Sequence, residues 1–189
     1  MGAHQLGLQA ITRGEEARRA GDSDRAALAF AEARELFNQC GAIADEARTV
    51  ARLAQIKRDA GHRDAACRLQ TQAVALARES GDRGSYANTL RHLADLLREM
   101  DDARGAATLY REALEIYQAG PYSPLDTAHA MRGAALNAEQ LGDKARARKL
   151  WRGARERYAV LDELMRATAD DANPGVAEAD RHLAELGDD

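Results

Sequence analysis

The sequence predicts an all-α protein, a solenoid of four helix pairs closed by a terminal helix. Three observations carry that prediction. Small residues recur with a forty-residue period along the 189 residues. Alanine dominates the apolar content while aromatics make up only 4%, so the core must be built by helices that approach closely. Val, Ile and Thr never cluster into an alternating run, which removes the signature of a half-buried strand.

The period is anchored on Gly21, Gly61, Asp101 and Gly142, with steps of 40, 40 and 41 residues. Five residues after each anchor stands an alanine (Ala26, Ala66, Ala106, Ala147), and twelve after stands another (Ala33, Ala73, Ala113, Ala154). Seven before, the residue is always small: Gly14, Ala54, Ala94, Ala135. A repeat of this length means supersecondary units stacked on their neighbours, an architecture that usually presents a binding surface.

Each unit reads as two helices. The first runs into the anchor, as in 42–60, and the second starts just beyond it, as in 63–80. A glycine anchor accepts the left-handed backbone of a helix end. Asp22, Asp102 and Asp143 follow directly, where a short acidic side chain accepts from the free amides of the next helix. Asp101 replaces the glycine in the third unit and predicts its weakest turn. Gly41, Gly81 and Gly120 close the second helices. After Gly120 comes the one elaborated connection, in which Ser123 as N-cap, Pro124 at the first helical position and Asp126 behind it make a helix start. The fourth unit lacks a closing glycine, so its second helix is expected from Lys144 to about Ala167. The expected organisation is therefore a four-repeat solenoid over 1–167, a polar linker over 168–175, and a capping helix with an acidic tail over 176–189, its apolar face drawn from Val176, Ala177, Leu183, Ala184 and Leu186.

Charge is placed unevenly. Residues 162–189 carry nine acids against two bases, a net of −7, which leaves +3 on the rest of a chain whose total is −4. An acidic tail beside a mildly basic body predicts that the tail folds near the body and competes with an acidic partner. Arginine outnumbers lysine 24 to 3, and arginine is the residue suited to bidentate carboxylate recognition.

The pattern resembles the tetratricopeptide repeat (TPR). That family carries Gly or Ala at the eighth position of each repeat and alanines at the twentieth and twenty-seventh, the positions occupied above. An aromatic is common at the twenty-fourth, and here Phe30, Gln70, Tyr110 and Trp151 stand there. The large apolar residue near the seventh position is present as Leu53 and Leu93 but replaced by Arg13 and Ala134 in the outer repeats. The proline that ends the 34-residue form is absent, with Asn38, Arg78, Gln118 and Ala159 in its place. The longer repeat is similar to the variant in kinesin light chains and bacterial regulatory proteins. The resemblance covers residues 4–167 and implies a right-handed superhelix whose first helices line a concave groove.

Groove positions then fall thirteen, ten, six and three residues before each anchor. The resemblance places there Leu8, Ile11, Glu15 and Arg18; Arg48, Ala51, Gln55 and Arg58; Asn88, Arg91, Asp95 and Arg98; and His129, Arg132, Leu136 and Glu139. Spacings of three and four put each set on one helix face. Arg18, Arg48, Gln55, Arg58, Asn88, Arg91, Arg98, His129 and Arg132 are the expected partner-binding residues. They suit an extended, carboxylate-bearing peptide, arginines on carboxylates and Asn88 on peptide backbone. The competing reading pairs the arginines with Asp45, Glu46, Asp95 or Glu99 as ordinary surface ion pairs. Near-absence of lysine disfavours the carboxylate clamp of chaperone-binding members.

Other function classes find little support. The five histidines His4, His62, His92, His129 and His182 show no metal spacing, and Cys40 and Cys67 read as free thiols. Phosphate-loop, nucleophile-elbow and zinc-protease motifs are missing, so neither enzyme nor cofactor is expected. No basic stripe is interleaved with aromatics, which speaks against nucleic acid. No run of eighteen apolar residues appears and no secretory leader pattern opens the sequence, so the cytoplasm is the expected compartment and no membrane partner is expected. The expectation is a scaffold or adaptor for a peptide, monomeric or weakly homodimeric. The alternatives are a sensory module for a signalling peptide or small effector, and a self-assembly module.

Overall fold

The computed structural model describes residues 2–165 and 173–187. Among these are nine α-helices and no strand: α1 (Ala3–Arg19), α2 (Ser23–Gln39), α3 (Ile43–Asp59), α4 (Arg63–Ser80), α5 (Arg83–Glu99), α6 (Ala103–Ala119), α7 (Pro124–Gln140), α8 (Lys144–Met165) and α9 (Pro174–Leu186). The fold is an all-α solenoid of helix pairs. It divides into two compact units, residues 1–96 and 97–189. In the first, α1 packs on α2, α2 on α3 and α3 on α4; in the second, α6 packs on α7, α7 on α8 and α8 on α9.

The period is the core. The eight repeated alanines after the anchors are completely buried, and so are Ala94 and Ala135 before them, while Ala54 is nearly so. The fourth small residue explains itself sterically: a Cβ on Gly14 would run into the Phe30 ring. Phe30 sits among Ala17, Ala26, Leu53 and Ile56, and Phe37 packs with Ala10 and Ala33. Small residues at the crossings let backbones approach, and one bulky side chain per repeat fills the space beside them. Gln70, the polar exception at that position, is 2% exposed. Its amide nitrogen donates to the Thr89 carbonyl at 2.9 Å, which satisfies a buried polar group.

The anchors close all four first helices in one way. The amide two residues past the C-cap donates back to the fifth residue before it: Asp22 to Ala17, His62 to Lys57, Asp102 to Leu97 and Asp143 to Ala138, at 2.8–2.9 Å. The anchor's own amide donates to Arg18, Arg58, Arg98 or Glu139. This pattern needs a left-handed residue. Gly21, Gly61 and Gly142 supply φ of 77°, 78° and 75°, and Asp101 takes φ 64° without being glycine. Gln140 Nε2 donates to its carboxylate at 3.2 Å.

Helix starts follow the acids. Asp22, Asp102 and Asp143 accept from the amides of Arg25, Gly105 and Arg146. Asp82 does the same for Ser85 at 3.0 Å. Ser123 caps α7 through the Leu125 amide, with Pro124 in its first turn. The terminal helix begins at Pro174, capped by Asn173 on the Gly175 amide at 2.9 Å. Two residues read from the sequence as linker thus form its first turn, since Asn-Pro-Gly is both a loop signal and a capped helix start. Residues 166–172, which hold the rest of that linker and the expected end of α8, lie outside the described residues, as do the last two of the acidic tail.

Candidate functional site

The first unit contains an open cleft of about 310 Å³. Arg18 reaches it from α1; Arg48, Ala51, Arg52 and Gln55 from α3; Ser85, Asn88, Thr89 and His92 from α5. Three arginines and no carboxylate line it. Their counter-charges sit at its edge. Arg52 Nε donates to Glu15 Oε1 at 2.6 Å, and Arg18 Nη1 lies 3.5 Å from the other Glu15 oxygen. Arg48 Nη2 donates to Asp45 Oδ1 at 2.6 Å, and Nη1 lies 3.8 Å from Asp82. His4 Nε2 is 2.9 Å from the second Asp45 oxygen. Burial raises the Asp45 carboxyl pKa, but the hydrogen bonds from His4 and Arg48 outweigh it and hold the group below its ordinary range.

Five of the expected groove positions therefore meet in one cleft: Arg18, Arg48, Ala51, Gln55 and Asn88. Arg58, Arg91 and Arg98 are not among its lining residues. Arg91 is only 12% exposed at its side chain and is tied to its own helix, to Asp95 at 3.3 Å, to Asn88 Oδ1 at 2.8 Å and to His92 Nε2 at 2.8 Å. Arg98 is 3.9 Å from Glu99. The competing reading of surface ion pairs thus describes Arg91 and Arg98, while Arg48 both pairs with Asp45 and faces the cleft. Leu8 is exposed and Ile11 half-buried against the Phe30 and Phe37 clusters.

Four lining residues were not read from the sequence: Arg52, Ser85, Thr89 and His92. Arg52 and His92 both stand nine residues before their anchors. That position is one turn beyond the thirteenth, so it shares the same face. Widening the stripe from four positions to five would have found both.

In the second unit the expected groove positions meet α9. Arg132 of α7 grips Glu178 with both nitrogens, Nε to Oε2 at 2.5 Å and Nη2 to Oε1 at 2.6 Å. This pairing holds the Glu178 carboxyl below its ordinary range against an opposing effect of burial. Glu139 Oε1 accepts from Trp151 Nε1 at 2.6 Å and lies 3.0 Å from His182 Nδ1. The His182 ring stacks on Trp151, with centroids 4.4 Å apart and planes at 16°. Arg155 of α8 pairs with Asp180. Gly175 is seated on the Tyr158 ring, and Ala179 is completely buried. His129 remains exposed, its ring 5.9 Å from that of Tyr158.

Among the described residues no group of His, Cys, Asp or Glu is arranged to hold a metal ion. Cys40 and Cys67 are free thiols. No described helix is long and apolar enough to cross a membrane.

Stacked helix pairs with alanine crossings and a polar cleft on the first helices define the helical-repeat class of binding proteins. The family model of the tetratricopeptide repeat matches residues 45–119, the heart of the second and third repeats, and those residues are tetratricopeptide repeats. Solved structures extend the likeness in fold to nearly the whole chain. A putative kinesin light chain with nearly identical TPR-like repeats from Podosopora anserina is 15% identical, with a TM-score of 0.71 over 97% of this chain and 86% of that one. BtubC (BKLC) from P. vanneervenii is 16% identical, with a TM-score of 0.64 over 98% of this chain and 83% of its own. The MamA protein is 15% identical, with a TM-score of 0.61 over 96% and 90%. No curated protein matches the sequence. At 15–16% identity these solved structures show a likeness in fold.

Proposed function

We propose that the chain is an adaptor that binds an extended, carboxylate-bearing peptide of a partner protein in the cleft of its first unit. The observation that supports this reading is the lining itself: Arg18, Arg48 and Arg52 face an open cleft of about 310 Å³ that no carboxylate lines. A ligand carboxylate meets three guanidinium groups that are already held in place by Glu15, Asp45 and Asp82. Fixed planes lose less side-chain entropy on binding. Asn88 gives its carbonyl oxygen to Arg91, which turns the amide for a peptide backbone. Charge complementarity at such an open site raises the on-rate and specificity more than the raw affinity.

The test is selection of peptides from a random displayed library on the full chain, followed by titration of a selected peptide. Arg48→Glu with Arg52→Glu is expected to weaken it by at least about tenfold, while Arg98→Gln leaves it within about twofold. Selected peptides without an acidic consensus, or binding unchanged in the double variant, would move the site away from this cleft.

A further inference from the structure

The second unit carries a second charged surface, on α8, that the peptide cleft does not use. The repeat supplies its own internal reference for it. Six, seven and ten residues after the anchor, α2 has Ala27, Leu28 and Ala31. At the same positions α4 has Cys67, Arg68 and Thr71, and α6 has Ala107, Thr108 and Arg111. The fold thus asks for at most one cation there. In α8 all three are cations: Arg148, Lys149 and Arg152.

The arrangement works against the helix that carries it. Lys144, Arg148 and Arg152 follow one another at spacings of four, where like charges repel. Lys144 and Arg146 lie in the first turn, where the helix dipole favours acids. α2 and α4 put Asp24 and Asp64 in that turn, and α8 has Ala145 at the same place. Arg148 is half-buried and donates to the Leu186 carbonyl of α9 at 3.3 Å, so it also serves packing, whereas Lys149 and Arg152 have no such bond among the described residues.

An open cleft of about 440 Å³ runs along the stripe, lined by Ala145, Arg148, Lys149, Arg152, Gly153 and Glu156. Lys149 and Arg152 are exposed and have no ion pair among the described residues. The neighbouring cations are already answered by acids of the same chain, Arg155 by Asp180 and Arg132 by Glu178 of α9. An acidic helix has therefore neutralised one side of this surface and left the other open.

We propose that the Lys144–Arg152 stripe of α8 is a second docking surface, one that takes an acidic segment of a protein partner. Eight residues of helix span about 12 Å, which matches three or four residues of an extended chain, so the recognised element is a short run of Asp and Glu. Nucleic acid fits the surface less well. The rings of α8, Trp151 and Tyr158, are buried, so no aromatic platform is offered to a base. Glu156 sits in the cleft, and the chain as a whole is negative.

The test is an anisotropy titration of the full chain with a fluorescein-labelled decapeptide of alternating Asp and Glu, at low and physiological salt. Lys149→Glu with Arg152→Glu is expected to weaken binding by at least about tenfold, and salt should weaken the wild type too. Lys149→Gln with Arg152→Gln, which only removes charge, should fall between. Arg63→Glu with Arg68→Glu makes the same charge change on α4, with Arg68 at the repeat position of Lys149, and should leave affinity within about twofold. Arg48→Glu with Arg52→Glu removes what the cleft of the first unit contributes, and on that background the α8 variant is expected to weaken the remaining binding by the same factor. Circular dichroism melts check that each variant is folded. Equal loss in the α8 and α4 variants would reduce the effect to bulk charge and overturn the proposal. So would loss confined to the Arg48/Arg52 variant, no binding by the wild type, or tighter binding of an oligonucleotide of equal charge at the same salt.

Discussion

The two units use the same face of their first helices differently. In the first, the face formed by residues such as Arg48 and Asn88 stays open as a cleft. In the second, Arg132 and Glu139 of that face are taken by Glu178 and His182 of α9. The difference is one of neighbours. A helical repeat exposes a face that only the next helix can cover, and the last pair needs a terminal element with a polar outer side. α9 meets that need: Ala179 and Gly175 go inward, while Asp180, Arg181 and Glu185 remain exposed. The sequence reading that an acidic tail folds onto a basic body corresponds to Glu178 on Arg132 and Asp180 on Arg155. Those contacts are in the second unit.

The largest effect that separates the units should come from Trp151, the single tryptophan of the chain. It is completely buried, it donates to Glu139 and it carries the His182 ring. Trp151→Ala is expected to destabilise the second unit by about 3–5 kcal/mol, with the Glu139 carboxylate losing its donor as well. Amide hydrogen exchange would read this as faster exchange in α7, α8 and α9 with α1–α3 unchanged. Uniform loss of protection along the chain would show that the two compact units unfold as one.

A smaller change tests how α9 is held. Glu178→Ala removes the bidentate pair and leaves Arg132, itself 41% exposed at its side chain, able to turn to water. The cost should be about 1 kcal/mol, discounted for that exposure. It should appear as a several-fold rise in exchange of the α9 amides and a shift in Trp151 fluorescence. Exchange in α9 that does not change would mean that Ala179 and the Gly175–Tyr158 contact carry the docking alone.

Acid should loosen the same contact. The Arg132 hydrogen bonds hold the folded Glu178 carboxyl below its ordinary value of 4.5, so the unfolded or undocked chain binds the proton more readily. The contribution is therefore full above about pH 4.5 and is lost as pH falls through the depressed folded value. Asp45 in the first unit behaves alike from a reference of 3.8. Trp151 fluorescence, followed from pH 6 downward, should report α9 loosening below about pH 4.5 in the wild type. The same change should be absent in Glu178→Gln, in which no proton is taken up. A transition of the same size in that variant would assign it to another carboxylate.

Much of this was legible in the sequence because the small residues obey a geometric rule. A crossing of two helices tolerates Gly or Ala and little else, so burial at the repeated positions followed from the period. Capping was legible for the same reason, since Asp22, Asp102 and Asp143 stand where an amide needs an acceptor. The site was legible only in part. Period and phase placed Arg48 and Asn88 on the cleft, but the phase gave a stripe of four positions where the cleft is wider, and Arg52, Ser85, Thr89 and His92 fell outside it. Nor does a phase say which charges find partners. Arg91 and Arg48 look equivalent as letters and each pairs with an acid one turn away, yet Arg91 is folded onto Asp95 and His92 while Arg48 pairs with Asp45 and still faces the cleft. The engagement of Arg132 depends on a segment forty-six residues away, which no local pattern announces.

The turns give the smallest contrast. Both first-helix turns of the first unit use glycine, Gly21 and Gly61, whereas the second unit uses Asp101 and then Gly142. The geometry is the same in all four, with paired amides returning to the helix end. At φ 64° an aspartate meets its own Cβ against the following carbonyl, and glycine does not. Against this, Asp101 accepts a hydrogen bond from Gln140 in an exposed position, where such a bond contributes little net stability. Asp101→Gly should therefore raise stability by about 0.5 kcal/mol, part of the relief being returned through the greater freedom of glycine in the unfolded chain. Asp101→Ala loses the Gln140 bond, keeps the strain and should lower stability by up to about 1 kcal/mol. Thermal melts of the pair check the sign. Two variants of equal stability would mean that the left-handed backbone costs nothing at this turn, and that Asp101 stands there without strain.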